Sequence, residues 1–570
     1  MKAALKVALT LVPLLAPGAL FAQSASSQTA PAEAIPASPI DPAKLSAHIK
    51  VLADDSFEGR GPGTPGEVKS IAYIESQMQA EGFQPAGDKG KDGKRAWTQD
   101  VPLSRFELKG PIKLSLHYGA ETKPLTQGEE IVVRSQRPVK HIALKDAPLV
   151  FVGYGVKAPE RQWDDFKGVN LKGKIMVVLV NDPDFETPPG HPTTGKFGGK
   201  AMTYYGRWTY KYEEAARQHA AGVLIVHETA PAAYGWNVVK SSNIIPSFDV
   251  VQSKPDEAHT KVEGWIQRDV AVDLFKRCGL DFAAEKAKAQ TAAFKPVALN
   301  CAKFSADFDV DAKTVVTHNV AGVLPGKTHP DEYVVYSAHW DHLGIGPADA
   351  KGDKIYNGAI DNADGIASIL EIGRVLAAGP RPERSILLLA VTAEEKGLLG
   401  SEYYASHPLY PLAKTVAVLN IDALGAYGPA RDIGTSGDGK IELQDMLAAA
   451  AKAEGRRFTP DPTPEAGHFF RSDHFPFAKR GVPAISIDSG LDLYKGGEAA
   501  GRAAAEDYVQ HRYHQPSDEW KTDWDLTGMA IDDGLVLKLG RDLANSRKWP
   551  EWQAGSEFKA VRDATAAQRK

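Results

Sequence analysis

Cysteine is scarce in this chain of 570 residues, which contains only Cys278 and Cys301. Two cysteines are too few for a disulfide-rich scaffold, and they lack the spacing of a metal-binding pair. In an oxidising compartment they would form one disulfide, whereas the other outcome is two buried thiols. The sequence alone leaves both outcomes open.

Positive charge is not in excess either, because the net charge is -5 and no long run of Lys or Arg occurs. A basic patch is the usual mark of a nucleic-acid-binding protein, so nucleic acid is not an expected partner. Beyond the amino terminus, no segment approaches 18 apolar residues, the length that a membrane-spanning helix needs. We therefore expect no membrane anchor.

The amino terminus is the exception, because an apolar stretch follows Lys2 and Lys6 and ends in "LFA" before Gln23. This order of charged, apolar and small residues predicts a signal peptide over residues 1–22. Residues 23–40 are rich in Pro, Ala and Ser, which predicts a disordered leader. No cysteine follows the apolar stretch, which argues against a lipid anchor. We expect an exported protein, secreted or periplasmic.

The remaining chain changes its pattern twice, and its composition of 43% hydrophobic and 24% charged residues is that of a globular protein. The pattern of its first part predicts a helix, a loop and a helix. The pattern of residues 105–300 predicts short strands in a β-rich module. From about residue 315, apolar strands alternate with helices, which predicts an α/β fold with a mostly parallel central sheet covered by helices on both faces. The predicted division is 41–110 for the first part of the α/β domain, 111–300 for an inserted β-rich domain, and 301–570 for the main part.

Three of these apolar strands are followed directly by side chains that can bind a metal. The residues are His339 and Asp341 after "EYVVYSA", Glu394 and Glu395 after "RSILLLAVTA", and Asp422 after "TVAVLNI". Asp361 lies in "NGAIDNADG", a turn-rich segment just before a helix. Because ligands bind at the carboxyl ends of parallel strands, these side chains are expected to meet in one site.

Each residue taken singly also has a structural interpretation. A lone histidine at a strand end is usually a core or surface residue, and Asp361 or Asp364 fits the cap of the following helix. Glu394 and Glu395 are favourable at a helix start because of the helix dipole. Together, however, these interpretations require several unrelated coincidences, so a shared metal site is favoured.

Six segments in this order resemble the M28 family of di-zinc aminopeptidases. They are "SAHWDHLG", "NGAIDNADG", "TAEEKGLLGS", "LNIDALG", "RSDHFPFAKRGVPAI" and "YHQPSDEW". The early "LADDSFEGRGPGTPGE" is similar to the amino-terminal part of bacterial secreted members, and the middle region resembles a protease-associated domain. The resemblance implies the zinc-dependent exopeptidase fold, with residues 41–110 and 301–570 forming the peptidase domain.

The resemblance also implies two Zn²⁺ ions per chain, with Asp361 bridging them. His339 and Asp422 would complete one site, and Glu395 and His514 the other. Oxygen and nitrogen donors of this kind suit zinc. The charges agree, because two Zn²⁺ ions balance the three carboxylates and one hydroxide, and a partly buried site needs such a balance.

Catalytic roles follow from the same resemblance. Glu394 is expected to be the general base that takes a proton from the metal-bridging water and passes it to the leaving amine. The Asp341 carboxylate is expected to hold the imidazole of His339, the alternative being a plain loop carboxylate. Tyr513 would donate a hydrogen bond to the oxyanion, the alternative being packing beside His514.

The other polar residues near the motifs have no single assigned catalytic or metal-binding role. Arg471 matches a substrate-contacting arginine of some family members, but it also fits an ion pair with Asp473. His342, His468 and His474 match no ligand position, so we interpret them as structural.

The predicted function is a secreted, zinc-dependent aminopeptidase that removes N-terminal residues from peptides. A carboxypeptidase or dipeptidase on the same di-zinc site is the alternative, because fold and metals do not fix which terminus is bound. A cyclase with one zinc is disfavoured because both ligand sets are complete. A non-catalytic binding protein with this fold would be expected to lack ligands or the base. The oligomeric state and the preferred side chain are not predicted.

Overall fold

The structure, a computed structural model, describes residues 34–437 and 440–569. The predicted signal peptide, residues 1–22, and most of the predicted leader, residues 23–40, lie outside the described residues. Within the described ranges, none of the helices has the length and apolar character needed to cross a membrane.

The elements follow the alternation that the sequence predicts. The helices are α1 Pro42–Leu52, α2 Pro65–Ala80, α3 Trp208–Arg217, α4 Thr229–Ala232, α5 Trp236–Asn243, α6 Pro255–Ala258, α7 Arg268–Arg277, α8 Phe282–Ala289, α9 Asp364–Ala378, α10 Leu399–Ser406, α11 Glu442–Ala453, α12 His474–Lys479, α13 Gly497–His511, α14 Thr527–Ala544 and α15 Lys559–Asp563. The strands are β1 Gln84–Pro85, β2 Thr98–Tyr118, β3 Glu121–Leu125, β4 Ile131–Arg134, β5 His141–Phe151, β6 Lys157–Ala158, β7 Trp163–Asp164, β8 Ile175–Leu179, β9 Gly222–His227, β10 Ser247–Val250, β11 Val262–Gln267, β12 Val297–Leu324, β13 His329–His339, β14 Gly344–Ile345, β15 Ile355–Tyr356, β16 Arg384–Val391, β17 Thr415–Ile421, β18 Asp432–Thr435, β19 Arg457–Phe458 and β20 Ala484–Ser489.

The centre of the sheet is parallel, in the strand order β16, β13, β17, β20. Successive side chains of β13 point to opposite faces of the sheet. Val334 and Tyr336 lie in the core that contains residues of α9 and α14, whereas Val335 packs with Tyr404 of α10 and Phe477 of α12. Helices therefore cover both faces, and the predicted α/β class is confirmed.

Two strands are much longer than the short strands that we predict for residues 105–300. β2 has 21 residues and β12 has 28, and they pair with each other in an antiparallel ladder. The predicted limits of the insert, at 110/111 and 300/301, fall inside these strands. A second apolar core contains Phe151, within these limits, and also Phe106 and Phe304, which lie just outside them. The prediction of short strands is wrong for β2, because its antiparallel pairing with β12 extends over most of its 21 residues.

The two cysteines form a disulfide, Cys278–Cys301, which joins the end of α7 to β12. Both residues pack against the second apolar core. Of the two outcomes that the sequence left open, the bridge is the one found in the structure.

The parallel strands end at one edge of the sheet. His339, the last residue of β13, pairs with Val391, the last residue of β16. β17 runs beside β13 on the other side and ends at Ile421, one residue before Asp422. Because adjacent parallel strands stop at the same level, the polar residues that follow them meet at this edge.

Candidate metal centre

Two groups of buried or partly buried donor atoms share Asp361. One consists of His339, Asp361 and Asp422, and its ligand atoms lie within 4.8 Å of one another. The His339 Nε2 atom is 3.3 Å from Asp361 Oδ1 and 3.2 Å from Asp422 Oδ1. Asp422 is held in turn by Ser472, whose hydroxyl donates to Asp422 Oδ2 at 2.6 Å.

The second group surrounds the other oxygen of Asp361. The His514 Nε2 atom is 3.1 Å from Asp361 Oδ2 and 3.1 Å from Glu395 Oε2. His342 also belongs here, because its Nδ1 atom is 2.6 Å from Glu395 Oε1 and 3.9 Å from Asp361 Oδ2. The structure thus brings together all five predicted ligands and adds His342, which the sequence interpretation treated as structural.

The spacing of these atoms fits zinc. Zinc binds imidazole nitrogen and carboxylate oxygen at about 2.0–2.2 Å, usually with tetrahedral geometry, so neighbouring donor atoms lie roughly 3.3 Å apart. The four distances of 3.1 to 3.3 Å around Asp361 agree with that value. Buried oxygens without a hydrogen-bond partner in the described part of the chain, such as Glu395 Oε1, also fit a cation site.

The pKa values of the shared ligands reflect the histidines beside them. Burial acts to raise the pKa of Asp361, but hydrogen bonds with His339 and His514 hold it well below the usual range. Burial and the charge of Asp361 also act to raise the pKa of Glu395, yet His342 and His514 bring it to about 2. Both carboxylates are therefore ionised at neutral pH, which is the form that binds a metal.

Glu394 lies beside the cluster without joining either group. Its Oε2 atom is 4.0 Å from His339 Nε2, and its side chain is 13% exposed. Burial, followed by the charges of Asp422 and Glu395, raises the pKa of its carboxyl well above the usual range, although His339 opposes this shift. The two adjacent glutamates therefore have different environments: Glu395 is held among the histidines, and Glu394 is not.

Asp341 is fully buried beside His339, but the group that it presents to the imidazole differs from the expectation. The nearest atom to His339 Nδ1 is the carbonyl oxygen of Asp341 at 3.0 Å, whereas its carboxylate oxygen is 3.8 Å away. A carbonyl only accepts, so Nδ1 donates to it, and Nε2 is the ring nitrogen that faces Asp361 and Asp422. The Asp341 carboxylate instead accepts from the backbone N–H of Glu394 at 3.1 Å. The backbone of the segment after β13 thus brings the carbonyl rather than the carboxylate close to the imidazole.

Tyr513 and Arg471 lie at more open positions. The Tyr513 ring stacks on His514 with centroids 3.9 Å apart, and Tyr513 is 44% exposed. Arg471 is exposed and donates to the carbonyl of Ala466 at 2.7 Å. Asp473, its predicted alternative partner, accepts instead from the hydroxyl of Ser401 at 2.5 Å.

Two supporting residues were missed by the sequence interpretation. Arg60 is fully buried and donates to four carbonyls, those of Trp340 at 2.8 Å, Leu52 at 2.9 Å, Asn357 at 2.5 Å and Gly358 at 2.7 Å. Burial lowers its pKa to about 10, against the charges of Asp361 and Asp518. The only signal for Arg60 in the sequence is its place in the segment "SFEGRGPG".

Asp518 is the other missed residue, and it holds the turn that carries Asp361. Its carboxylate accepts from the backbone N–H groups of Ile360 at 3.2 Å and Asp361 at 3.1 Å. Asp518 lies in "YHQPSDEW", four residues after His514, so the segment that supplies one ligand also fixes the position of another.

Comparisons with known proteins agree with this site. A family model described as peptidase family M28 matches residues 319–533. A probable zinc metalloprotease of Pyrenophora teres f. teres (strain 0-1) is 34% identical over 118 residues, 21% of this chain and 24% of that protein. Aminopeptidase NAALADL1 of Mus musculus is 38% identical over 110 residues, 18% of this chain and 13% of that protein. The chain thus spans about a quarter or less of the length of these relatives.

Among solved structures, the aminopeptidase from Aneurinibacillus sp. strain AM-1 is similar with a TM-score of 0.47 and 19% identity, covering 90% of this chain and 95% of that chain. The family match covers β13, β16 and β17, the turn with Asp361, and the segment with His514. The family match over residues 319–533 thus includes every residue of the two donor groups.

Proposed function

We propose that this protein is an exported, zinc-dependent aminopeptidase that hydrolyses N-terminal residues from peptides and uses two zinc ions. The observation that carries the proposal is the pair of donor groups that share Asp361, with the Glu394 carboxylate beside them, 4.0 Å from His339 Nε2. The names of the matched relatives, a probable zinc metalloprotease and an aminopeptidase, support the same proposed function.

In this proposal one ion is held by His339, Asp361 and Asp422, and the other by Asp361, Glu395 and His514. Bound there, zinc supplies Lewis acidity, which polarises a carbonyl group and makes water more acidic. The protein supplies fixed positions for most of the donors, because His339, Glu395 and Asp422 lie at or just after the ends of buried strands, and Arg60 and Asp518 hold the segment that carries Asp361.

Glu394 is the proton carrier. Its raised pKa means that the carboxylate accepts a proton readily, which suits a group that takes a proton from the attacking water and returns it to the leaving amine. The backbone N–H of Glu394 donates to the Asp341 carboxylate, and this hydrogen bond fixes the position of the Glu394 backbone, from which the side chain extends. Asp341 thus positions both Glu394 and, through its carbonyl, the imidazole of His339.

Tyr513 and Arg471 are assigned to the substrate. In this proposal Tyr513, whose ring stacks on His514, donates from its hydroxyl to the oxyanion that forms at the scissile carbonyl. Arg471 is exposed and precedes Ser472, whose hydroxyl donates to Asp422. In this proposal Arg471 contacts the peptide.

The preference for an amino terminus rests on where the end of the peptide would bind. In this proposal the free α-amine sits near Glu394 and the carboxylates that hold the metal, so that only a chain end fits. The alternative remains a carboxypeptidase or dipeptidase on the same site, because the ligands do not fix which end of the peptide is bound. We also propose that the β-rich insert, residues 111–300, is a protease-associated domain and that residues 1–22 direct export.

The decisive experiment compares peptides that differ only at their ends. We expect the zinc-loaded protein to release the first residue of peptides with a free amino terminus and to leave N-acetylated versions intact. A chelator should abolish the release, and added zinc should restore it. Release from the carboxyl end of acetylated peptides would support the alternative, and absence of any metal-dependent release would reject a peptidase.

A further inference from the structure

His342 and Glu395 present two buried polar atoms that face each other without satisfying each other. The Nδ1 atom of His342 and the Oε1 atom of Glu395 are 2.6 Å apart. Among the described residues, neither atom has a well-aligned hydrogen-bond partner, and His342 is completely buried. An unpaired polar atom in the interior costs about 1–3 kcal/mol, so two such atoms side by side indicate a missing common partner.

We propose that His342 is a fourth protein ligand of the zinc ion held by Asp361, Glu395 and His514, and that it binds through Nδ1. This inference rests on the proposed zinc-dependent function. The same atoms form a metal-binding group with Asp361, because their ligand atoms lie within 4.8 Å of one another. A cation at that position pairs both unsatisfied atoms at once, whereas a poorly aligned contact between them pairs neither.

The ring of His342 is fixed in this orientation by its surroundings. Gly358 lies against it, and a Cβ atom at that position would be 2.5 Å from His342 Cγ. The backbone N–H of His342 donates to the carbonyl of Arg60 at 3.3 Å, and its ring meets the His514 ring edge-on with centroids 5.6 Å apart. A ligand held this firmly loses little conformational freedom when it binds an ion.

The consequence is that the two ions are held unequally. The first has three protein ligands, namely His339, Asp361 and Asp422. The second has four, two of them imidazoles, namely Asp361, Glu395, His342 and His514. His514 has a side chain that is 36% exposed, whereas His342 is fully buried, so His342 supplies the protected imidazole of the pair. We expect the second position to bind zinc more tightly and to fill first.

The matched variants are His342→Phe and His474→Phe. Both histidines are completely buried with unpaired ring nitrogens in the described part of the chain, but His474 packs edge-on against Phe469, with ring centroids 4.7 Å apart, and belongs to neither donor group. Phenylalanine keeps the ring volume and removes both nitrogens. A difference between the two variants therefore reports the nitrogens of His342 rather than the loss of a buried histidine.

The first measurement is a zinc titration in competition with a chromophoric chelator. We expect His342→Phe to weaken one of the two zinc-binding steps by about 100-fold or more, beyond the range of about 10–100-fold for residues that only support a ligand. The other step should stay unchanged, and His474→Phe should bind two ions as the parent does. Two unchanged steps in a folded His342→Phe protein would overturn the assignment.

The second measurement uses the unmodified protein and does not depend on a variant folding. A crystal structure of the zinc-loaded protein, with anomalous data at the zinc edge, should place His342 Nδ1 about 2.1 Å from the second ion. Zinc bound to Asp361, Glu395 and His514 with Nδ1 hydrogen-bonded to Glu395 would overturn the inference and leave the proposed function intact. Absence of zinc from the site would reject both.

Discussion

At the scale of single residues, Glu394 and Glu395 are adjacent in the sequence but lie in different environments, which give them different chemical roles. The pKa of Glu395 is about 2 because His342 and His514 offset the effects of burial and of Asp361. Glu394 has only His339 as a distant cation, so burial raises its pKa. One carboxylate is thus kept ionised for binding a metal, and its neighbour is kept basic. The short turn of residues Glu394–Lys396 sets the distance between them.

The Glu394→Gln substitution tests this separation of roles. Glutamine keeps the shape of the side chain but cannot accept a proton as a carboxylate does. General acid and base groups contribute about 10²- to 10⁴-fold to turnover, so kcat should fall about 100-fold or more while zinc content stays that of the parent. Steady-state kinetics and elemental analysis measure the two quantities.

The exposed Glu519→Gln is the control for Glu394→Gln, because it makes the same chemical change outside the donor groups. It should leave both kcat and zinc content unchanged. If Glu394→Gln instead lost zinc and kept its turnover, the roles of the two adjacent glutamates would be reversed.

At the scale of elements, the site lies where three parallel strands end. The segment that contains Arg60, which is distant in the sequence, stabilises it through hydrogen bonds. Arg60, between α1 and α2, joins this segment to the turn before Asp361 through the carbonyls of Asn357 and Gly358. The same guanidinium binds the carbonyl of Trp340, which lies between His339 and Asp341. Two segments that carry ligands are therefore fixed to one buried cation.

The Arg60→Met substitution tests this connection. Methionine fills much of the space but leaves the four carbonyls without a buried donor, so the free energy of unfolding should fall by about 3 kcal/mol or more. Zinc binding should also weaken, because the turn with Asp361 is no longer held. Urea denaturation and zinc titration provide the measurements.

Arg502→Met is the comparison for Arg60→Met, since Arg502 is exposed on α13 and its ion pair with Glu498 is long, at 3.7 Å. Loss of an exposed ion pair changes stability by about 1 kcal/mol or less. Equal, small effects of both substitutions would show that Arg60 does not stabilise the site.

At the scale of the whole molecule, two apolar cores share the strand β12, and β2 pairs with β12. The first core underlies the metal centre, and the second belongs to the insert. Contacts near the site join the two: Lys479 of α12 pairs with Glu213 of α3 at 2.9 Å, and Tyr204 packs against Phe475 with ring centroids 5.2 Å apart. The residues around α3 are thus fixed to α12, whose first residue directly follows Asp473.

Removal of the disulfide tests how far the two cores depend on each other. The pair Cys278→Ser and Cys301→Ser opens a link between residues 23 apart, which in the chain-entropy model lowers the free energy of unfolding by about 3 kcal/mol. Because both cysteines pack on the second core, zinc affinity should stay unchanged. Circular dichroism in urea and zinc titration measure the two effects. A parallel loss of zinc binding would show that the cores unfold and act as one.

The sequence by itself determined the strands, the helices around them and the residues at the strand ends. Runs of apolar residues specify β13, β16 and β17 because both faces of a parallel sheet are buried. The residues that follow these strands meet because the carboxyl ends of parallel strands lie at one edge of the sheet. The five predicted ligands, His339, Asp361, Glu395, Asp422 and His514, were found by this logic together with the family resemblance, and they lie together in the structure.

Only the tertiary structure decided which further residues reach the site. Arg60 and Asp518 lie far from Asp361 in the sequence, and their hydrogen bonds to backbone groups leave no pattern in the side chains. His342 lies three residues after His339, yet whether its ring points into the site depends on the turn after β13 and on the space left by Gly358. Local patterns specify elements because their period follows from backbone geometry, whereas contacts between distant segments depend on how those elements pack.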